Sequence, residues 1–468
     1  MALPFPGSYR SAERQVVWVL AITMAVLLST QACYRRHAPS AAPQGVIGRW
    51  LLTFHIRGGL FRTPVELFAD SSGVLRATVL GPALVRFDRA SVENGVMRLE
   101  GPSRFGKAHV NGPMIGDSLE ARWRIGLLRG DVTGRKLAVA ASSSLERVAA
   151  YDSVWRTVSA SYYDPSFGGV DWTAVRARYA PLAAAVHNDG ELLAVVRQML
   201  GELHSSHLDF SAIALADAFP TRGGGPDTDE ARAIVWRGLT SRIGYVRIAQ
   251  FDEGAAALAR LDSAFLVLGP LPGLIVDVRG NPGGTLGVAL RLGDHLLTQP
   301  AVVGYFATRG GLRAFGATNL DELNPAVLPR FRGYDVADFQ SELRRAGAVT
   351  IESGGRVARP YAGRVVLLID ERCGSTTEAF AAVLQELRRA TLVGHRTAGA
   401  MLSSVEMPIV GGWVLRLPEA DFRTPAGRRI EGTGVIPDII AFRHWYHDSQ
   451  LHAAVSLLER STVAAAAK

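Results

Sequence analysis

Ser375 stands in Cys373-Gly374-Ser375-Thr376, after the aliphatic run Val365-Val366-Leu367-Leu368-Ile369 and before Phe380, Leu384 and Leu387 at helical spacing. The run reads as a strand buried on both faces, and Glu378 early with Arg388-Arg389 late suits the two ends of a helix. A serine at such a turn can present its hydroxyl as a nucleophile. Unpaired N–H groups at the helix start then face the charge that develops on an attacked carbonyl. The same residue is also a good helix cap, a role without chemistry. Cys373 is a second candidate nucleophile, because a helix N-terminus lowers the pKa of a thiol.

A base would have to come from elsewhere. His204-Ser205-Ser206-His207 closes a helical stretch that opens at Asn188, with Glu191 three residues on as in a capping box, and runs through Leu192, Val196, Leu200 and Leu203. An imidazole suits general-base work near neutral pH, although His207 taken alone is equally a structural residue. A second buried run, Leu274 to Val278, leads into Arg279-Gly-Asn-Pro-Gly-Gly284. Two adjacent glycines allow close backbone approach and offer N–H groups at a strand end. The turn is no dinucleotide fingerprint and lacks Gly-Lys-Ser/Thr, so it does not read as a phosphate site. Beside Ser375 it would supply half of an oxyanion hole.

The 468 residues suffice for two or three domains. The net charge of +8 is spread over dispersed arginines, with no basic run interleaved with aromatics, so no nucleic-acid partner is expected. The two cysteines, Cys33 and Cys373, make no disulfide framework and have no metal-ligand spacing, so no metal is expected. Arg10 and Arg14 precede an apolar stretch from Val16 to Leu28, followed by Ser29-Thr30-Gln31-Ala32-Cys33. This reads as an export signal over 1–33, ending either in plain cleavage or in lipidation of Cys33, with 34–46 as a tether. Residues 47–138 are expected to be an all-β accessory domain of seven or eight strands, a small barrel or sandwich: Leu119, Ala121, Trp123 and Ile125 alternate with charged residues. Residues 148–210 read as a helical segment carrying His207, with Tyr151, Trp155, Val158 and Tyr162 on one stripe. Phe219 to Arg232 is a polar Gly/Pro-rich loop. Residues 240–445 read as a layered α/β core, with Arg309 to Pro360 a poorly periodic insertion or lid. Trp413–Leu417 and Gly434–Pro437 read as short closing strands, and 446–468 as a helix and tail.

Three segments together carry a resemblance: Leu274 to Gly284, Ser375-Thr-Thr-Glu378 and Leu392-Val-Gly-His-Arg-Thr-Ala-Gly399. They look like the core signatures of the serine peptidase superfamily of tail-specific (C-terminal processing) proteases, the tricorn core protease and the interphotoreceptor retinoid-binding protein modules. Tyr162-Tyr-Asp-Pro, Val170-Asp-Trp172 and Gly201 to His207 are similar to the tricorn-like branch, and Glu431 to Asp438 matches its closing motif. The resemblance covers about Ala149 to Ile440 and leaves out the β region. It implies a crotonase-like ββα spiral with a helical cap, Ser375 as nucleophile and His207 as base. It further implies Ser206 and Glu431 as the rest of a Ser-His-Ser-Glu tetrad, and Thr376 with Gly283 or Gly284 as oxyanion-hole donors. The family position of Cys373 commonly holds Thr, which with the Ser375-x-x-Glu378 spacing favours the serine.

Two departures bear on mechanism. The tail-specific branch uses a lysine base where this chain has Ala400, and it inserts a PDZ domain for which Phe210 to Gly244 leaves too few residues. The expectation is an exported periplasmic or cell-envelope endopeptidase that forms an acyl-enzyme without cofactor and takes a peptide or protein substrate. A membrane tether through Cys33 would go with it. An apolar-ligand-binding module on the same core, or an esterase, is the alternative.

Overall fold

The computed structural model describes residues 43–56, 59–81, 86–103, 106–138, 141–212, 234–251, 254–442 and 447–466. The expected export signal, Cys33 and the Phe219–Arg232 loop lie outside the described residues. The fold is mixed α/β with a large β-sheet module.

Eight antiparallel strands make that module: β1 (Gly48–Ile56), β2 (Gly59–Ala69), β3 (Leu75–Val79), β4 (Arg89–Glu93), β5 (Val96–Ser103), β6 (Gly106–Ile115), β7 (Ser118–Ile125) and β8 (Leu128–Lys136). They form one sheet in the order β3-β2-β1-β8-β7-β6-β5-β4, so it is not a two-sheet sandwich. Alternate residues of every strand, from Trp50 and Val65 to Leu99 and Trp123, join one apolar core. A sheet this wide gathers its inner face into a single cluster only by curling round it.

Three helices follow, Ser144–Ser161, Trp172–Ala184 and Asp189–Gly201, capped by Ser143, Asp171 and Asn188. Their shared core, with Tyr151, Trp172 and Leu200, also takes in Trp413, Leu415 and Leu417 of a later strand. One buried cluster ties these helices to the β module. Arg49, on the outer face of β1, is 1% exposed and Asp189, at the start of the third helix, 0%. Their side chains meet at 2.6 Å. The Arg49 guanidinium also donates to Gly411 O and Ser142 Oγ and lies 4.9 Å from the Trp413 ring centroid. The Glu66 carboxylate accepts from the Gly190 N–H at 3.1 Å.

The remaining strands form two six-strand systems. In the first, β10 (Ile234–Gly238) pairs antiparallel with β11 (Ile243–Ile248), and β12 (Gly273–Asp277), β16 (Arg364–Ile369), β17 (Ala390–Gly394) and β20 (Ile439–Ile440) continue in parallel. Asp277 of β12 faces Leu368 of β16. Parallel neighbours in register put their carboxyl-end turns side by side, here residues 279–284 and 370–375. The second contains β14 (Arg330–Phe331), β15 (Ala348–Ser353), β13 (Ala301–Thr308), β19 (Trp413–Arg423) and β18 (Leu402–Ile409) in that order. Its β9 (Asp209–Ala212) pairs with Trp413–Arg416, so the chain that has just passed His207 is pinned to this sheet.

The sequence reading errs in two places here. Arg309–Pro360 is no loose insertion: it holds the helix Val336–Ala346 and β15, whose six residues are all buried. Its helix has only three large apolar residues, Val336, Phe339 and Leu343, among polar and charged ones, which hid the stripe. Gly434–Pro437 forms no strand; the closing pair is Ile439–Ile440, whereas β19 runs to eleven residues.

Candidate active site

Ser375 caps the helix Thr376–Glu386 with φ 54° and ψ −128°, and His207 has φ 57°. A positive φ on a side-chain-bearing residue costs about 1–3 kcal/mol and persists only where the surroundings enforce it. At Ser375 the enforcement is visible. Its N–H donates to Ala400 O at 2.8 Å and to Glu378 Oε2 at 3.2 Å. Glu378 also accepts from the N–H groups of Gly399 and Ala400 at 2.6 and 2.7 Å, and from Thr397 Oγ1. This buried carboxylate therefore clamps the 397–400 loop against the serine turn. Burial pushes its pKa up while these donors pull it down.

The two glycines differ. A Cβ on Gly283, at φ 105°, would fall 2.6 Å from Ser375 Cβ and 3.1 Å from Thr376 N, so only glycine admits this approach. The Gly283 N–H, however, donates to Asn281 Oδ1 at 2.9 Å. No acceptor among the described residues is paired with the N–H of Gly284 or of Thr376. Gly284 is therefore the better placed of the two donors, and Thr376 Oγ1 ties the turns together by donating to Gly284 O at 2.7 Å.

The residues round the imidazole allow a proton count. Ser206 Oγ lies 2.8 Å from His207 Nδ1 and donates to Glu431 Oε2 at 2.8 Å. Glu431 Oε1 accepts the Ser206 N–H at 2.9 Å and Oε2 the Met401 N–H at 2.8 Å. Ser206 has one hydroxyl hydrogen, and an ionised carboxylate can only accept. That hydrogen goes to Glu431, so Ser206 Oγ accepts from His207 Nδ1–H. Nε2 is left with its lone pair, the form a general base needs. Burial, with Arg416 adding to it, holds the His207 pKa below its ordinary value and keeps the ring neutral. Two residues before Glu431, Arg429 pairs with Asp421 of β19 at 2.9 Å and donates at 2.7 Å to the Oη of Tyr163, just past the first helix.

His207, Ser375, Thr376 and Gly284 line one cleft of about 270 Å³, walled on the far side by Val336, Phe339 and Gln340. An apolar pocket opens beside it, sharing Leu286, Phe306 and Thr376 and floored by Leu290, Ile351 and Phe380. Cys373 is fully buried, its thiol donating to Val278 O at 3.1 Å, and burial pushes its pKa far above the usual range. Such a thiol is no nucleophile. The residues sequence reasoning missed are Glu378 as a clamp, Asn281 as the acceptor that occupies Gly283, and the Tyr163–Arg429 brace. One signal was countable in advance: the chain has lysines only at 107, 136 and 468, so none lies in the core at all.

The description peptidase family S41 fits residues 242–441, and tricorn protease C1 domain fits 143–201. Residues 242–441 of the chain are thus similar to the S41 serine peptidases. Ser375, Thr376, Gly284 and Glu431 lie within the S41 segment, whereas Ser206 and His207 fall between the two matched segments, just after the C1 segment ends at Gly201. A carboxy-terminal-processing protease of Bartonella bacilliformis is 29% identical over 219 residues, 46% of this chain and 42% of the relative. A tricorn protease homologue of Streptomyces coelicolor is 24% identical over 361 residues, 63% of this chain and 30% of the relative. The chain thus matches less than half the length of either relative. Among solved structures, the tricorn protease matches at TM-score 0.45 and 15% identity, over 88% of this chain and 46% of that one. The photosystem II D1 C-terminal processing protease matches at 0.46 and 16%, over 68% and 97%.

Proposed function

We propose that this chain is an exported serine endopeptidase with a crotonase-like core, acting through an acyl-enzyme. Ser375 Oγ attacks the scissile carbonyl and passes its proton to His207 Nε2. The oxyanion accepts from the N–H groups of Gly284 and Thr376, and His207 returns the proton to the leaving amine. Water then repeats the sequence to release the acyl group. Ser206 and Glu431 fix the ring and stabilise the imidazolium. The observation that carries this reading is the Glu431–Ser206–His207 hydrogen-bond chain, which leaves Nε2 unprotonated. The adjoining apolar pocket favours an apolar side chain before the cleaved bond. The segment 1–33 would serve export, with Cys33 as the site of a lipid tether if one is attached.

A fluorophosphonate probe tests the assignment. It should label the protein once, at Ser375, with a rate that rises through an acidic limb. His207 is active when neutral, and its pKa is lowered, so the limb should lie below about pH 6.5, the ordinary histidine value. An adduct elsewhere, or a limb well above pH 7, would overturn the assignment. Cys373→Ala should keep at least about half of the labelling rate, since its thiol is buried and protonated; complete loss in a folded variant would make this a cysteine enzyme.

A further inference from the structure

We infer that one rim of the β module is a docking surface for an anionic membrane. The β7–β8 hairpin turns at Gly126-Leu127, with Gly126 at φ 58° as the first residue of a two-residue turn and Leu127 as its tip. Leu127 there is 99% exposed and Leu128 58%, and Leu60, by the β1–β2 turn at the same end of the sheet, is 53% exposed. Three exposed leucines at the turns of one rim would be left in water by a free protein.

The charges beside them fit the same partner. Arg124 and Arg129 are directly opposed across β7 and β8, an arrangement that repels. His109, 3.3 Å from the Glu100 carboxylate, faces Arg124 from β6, and Lys107 stands exposed two residues before it. Among the described residues, no carboxylate lies within ion-pair distance of Lys107, Arg124 or Arg129. Apolar tips flanked by uncompensated cations suit the junction of phospholipid headgroups and acyl chains, where leucines are buried and Lys or Arg meet phosphate. The other rim has a single exposed apolar tip, Ile115 at 70%, and its cations Arg135 and Lys136 stand beside the acidic Asp117. An acidic protein would satisfy the cations but gives no reason for bare leucines at the turns.

The test uses the full chain with Cys33→Ser, so that buried Cys373 is the one native thiol left. Leu127→Cys carries an environment-sensitive nitrobenzoxadiazole label, and Ile115→Cys carries the same label as a control. With vesicles of phosphatidylcholine and phosphatidylglycerol at 3:1, the Leu127 label should shift to the blue, and the Ile115 label should not. Pure phosphatidylcholine should give much less. Arg124→Gln with Arg129→Gln should weaken vesicle binding about 25-fold, about fivefold per charge, and 0.5 M salt should do likewise. Circular dichroism of each variant checks that the sheet is intact. No shift at Leu127 while the chain still sediments with vesicles would mean that another segment holds it, and would overturn the inference. Equal shifts at Leu127 and Ile115 would overturn it as well.

Discussion

Ser375→Ala and His207→Ala are each expected to lower kcat by about 10⁶-fold, and the double variant no further. Nucleophile and base act on one proton, so once either is lost the other has nothing left to do. The residual rate over water would come from the Gly284 and Thr376 N–H groups and from substrate binding, neither of which the substitutions touch. Glu431→Gln should cost less, about 10⁴-fold. Its carboxylate meets three donors, Ser206 N–H, Ser206 O–H and Met401 N–H. A carboxamide puts an NH₂ against one of them and unsettles the ring tautomer, while leaving nucleophile and base present. Steady-state kinetics on a peptide with an apolar residue before the cleaved bond would measure all three. Near wild-type turnover by His207→Ala, with labelling still at Ser375, would mean that the base lies elsewhere.

Arg49→Ala should be the most damaging substitution for stability, at about 3–5 kcal/mol, because it leaves a fully buried Asp189 without its cation. Replacing both partners by leucine should recover much of that loss, since no unpaired charge remains. The denaturant midpoint of the full chain reads both. The same cluster gives a pH signature. Burial first, then Asp189, raises the Glu66 pKa from 4.5 to about 7. A carboxyl whose folded pKa is raised binds its proton more readily when folded. Its contribution is therefore complete below about pH 4.5 and lost as pH rises through about 7. The midpoint should fall across that window, and less so in Glu66→Gln, which cannot titrate.

What the sequence disclosed followed the strength of each local pattern. The strand-turn-helix about Ser375 was legible because an unbroken aliphatic run and a helix stripe bracket it. The β7 strand was legible because alternation there has no exception. The Val336–Ala346 helix was not, although Asp335 and Gly347 mark its ends: three apolar positions among charges do not announce a core face. Yet that helix walls the cleft. The choice between Gly283 and Gly284 was beyond sequence reasoning altogether. It depends on where the Asn281 side chain turns, which tertiary packing decides. The Arg49–Asp189 pair was equally hidden, since its partners are 140 residues apart and either alone reads as a surface charge.

The distribution of the site over the sheets has a bearing on how the site assembles during synthesis. His207 is held by β9 against β19, Ser375 follows β16, and Glu431 comes after β19. A ribosome delivers the imidazole more than 160 residues before the serine, and the carboxylate that orients it later still. Until β19 exists, β9 has no strand to pair with and Ser206 has no acceptor for its hydroxyl. On the proposed mechanism, a nascent or half-folded chain would hold Ser375 and His207 without an assembled relay, and pairing of β9 with β19 would be among the steps that complete it.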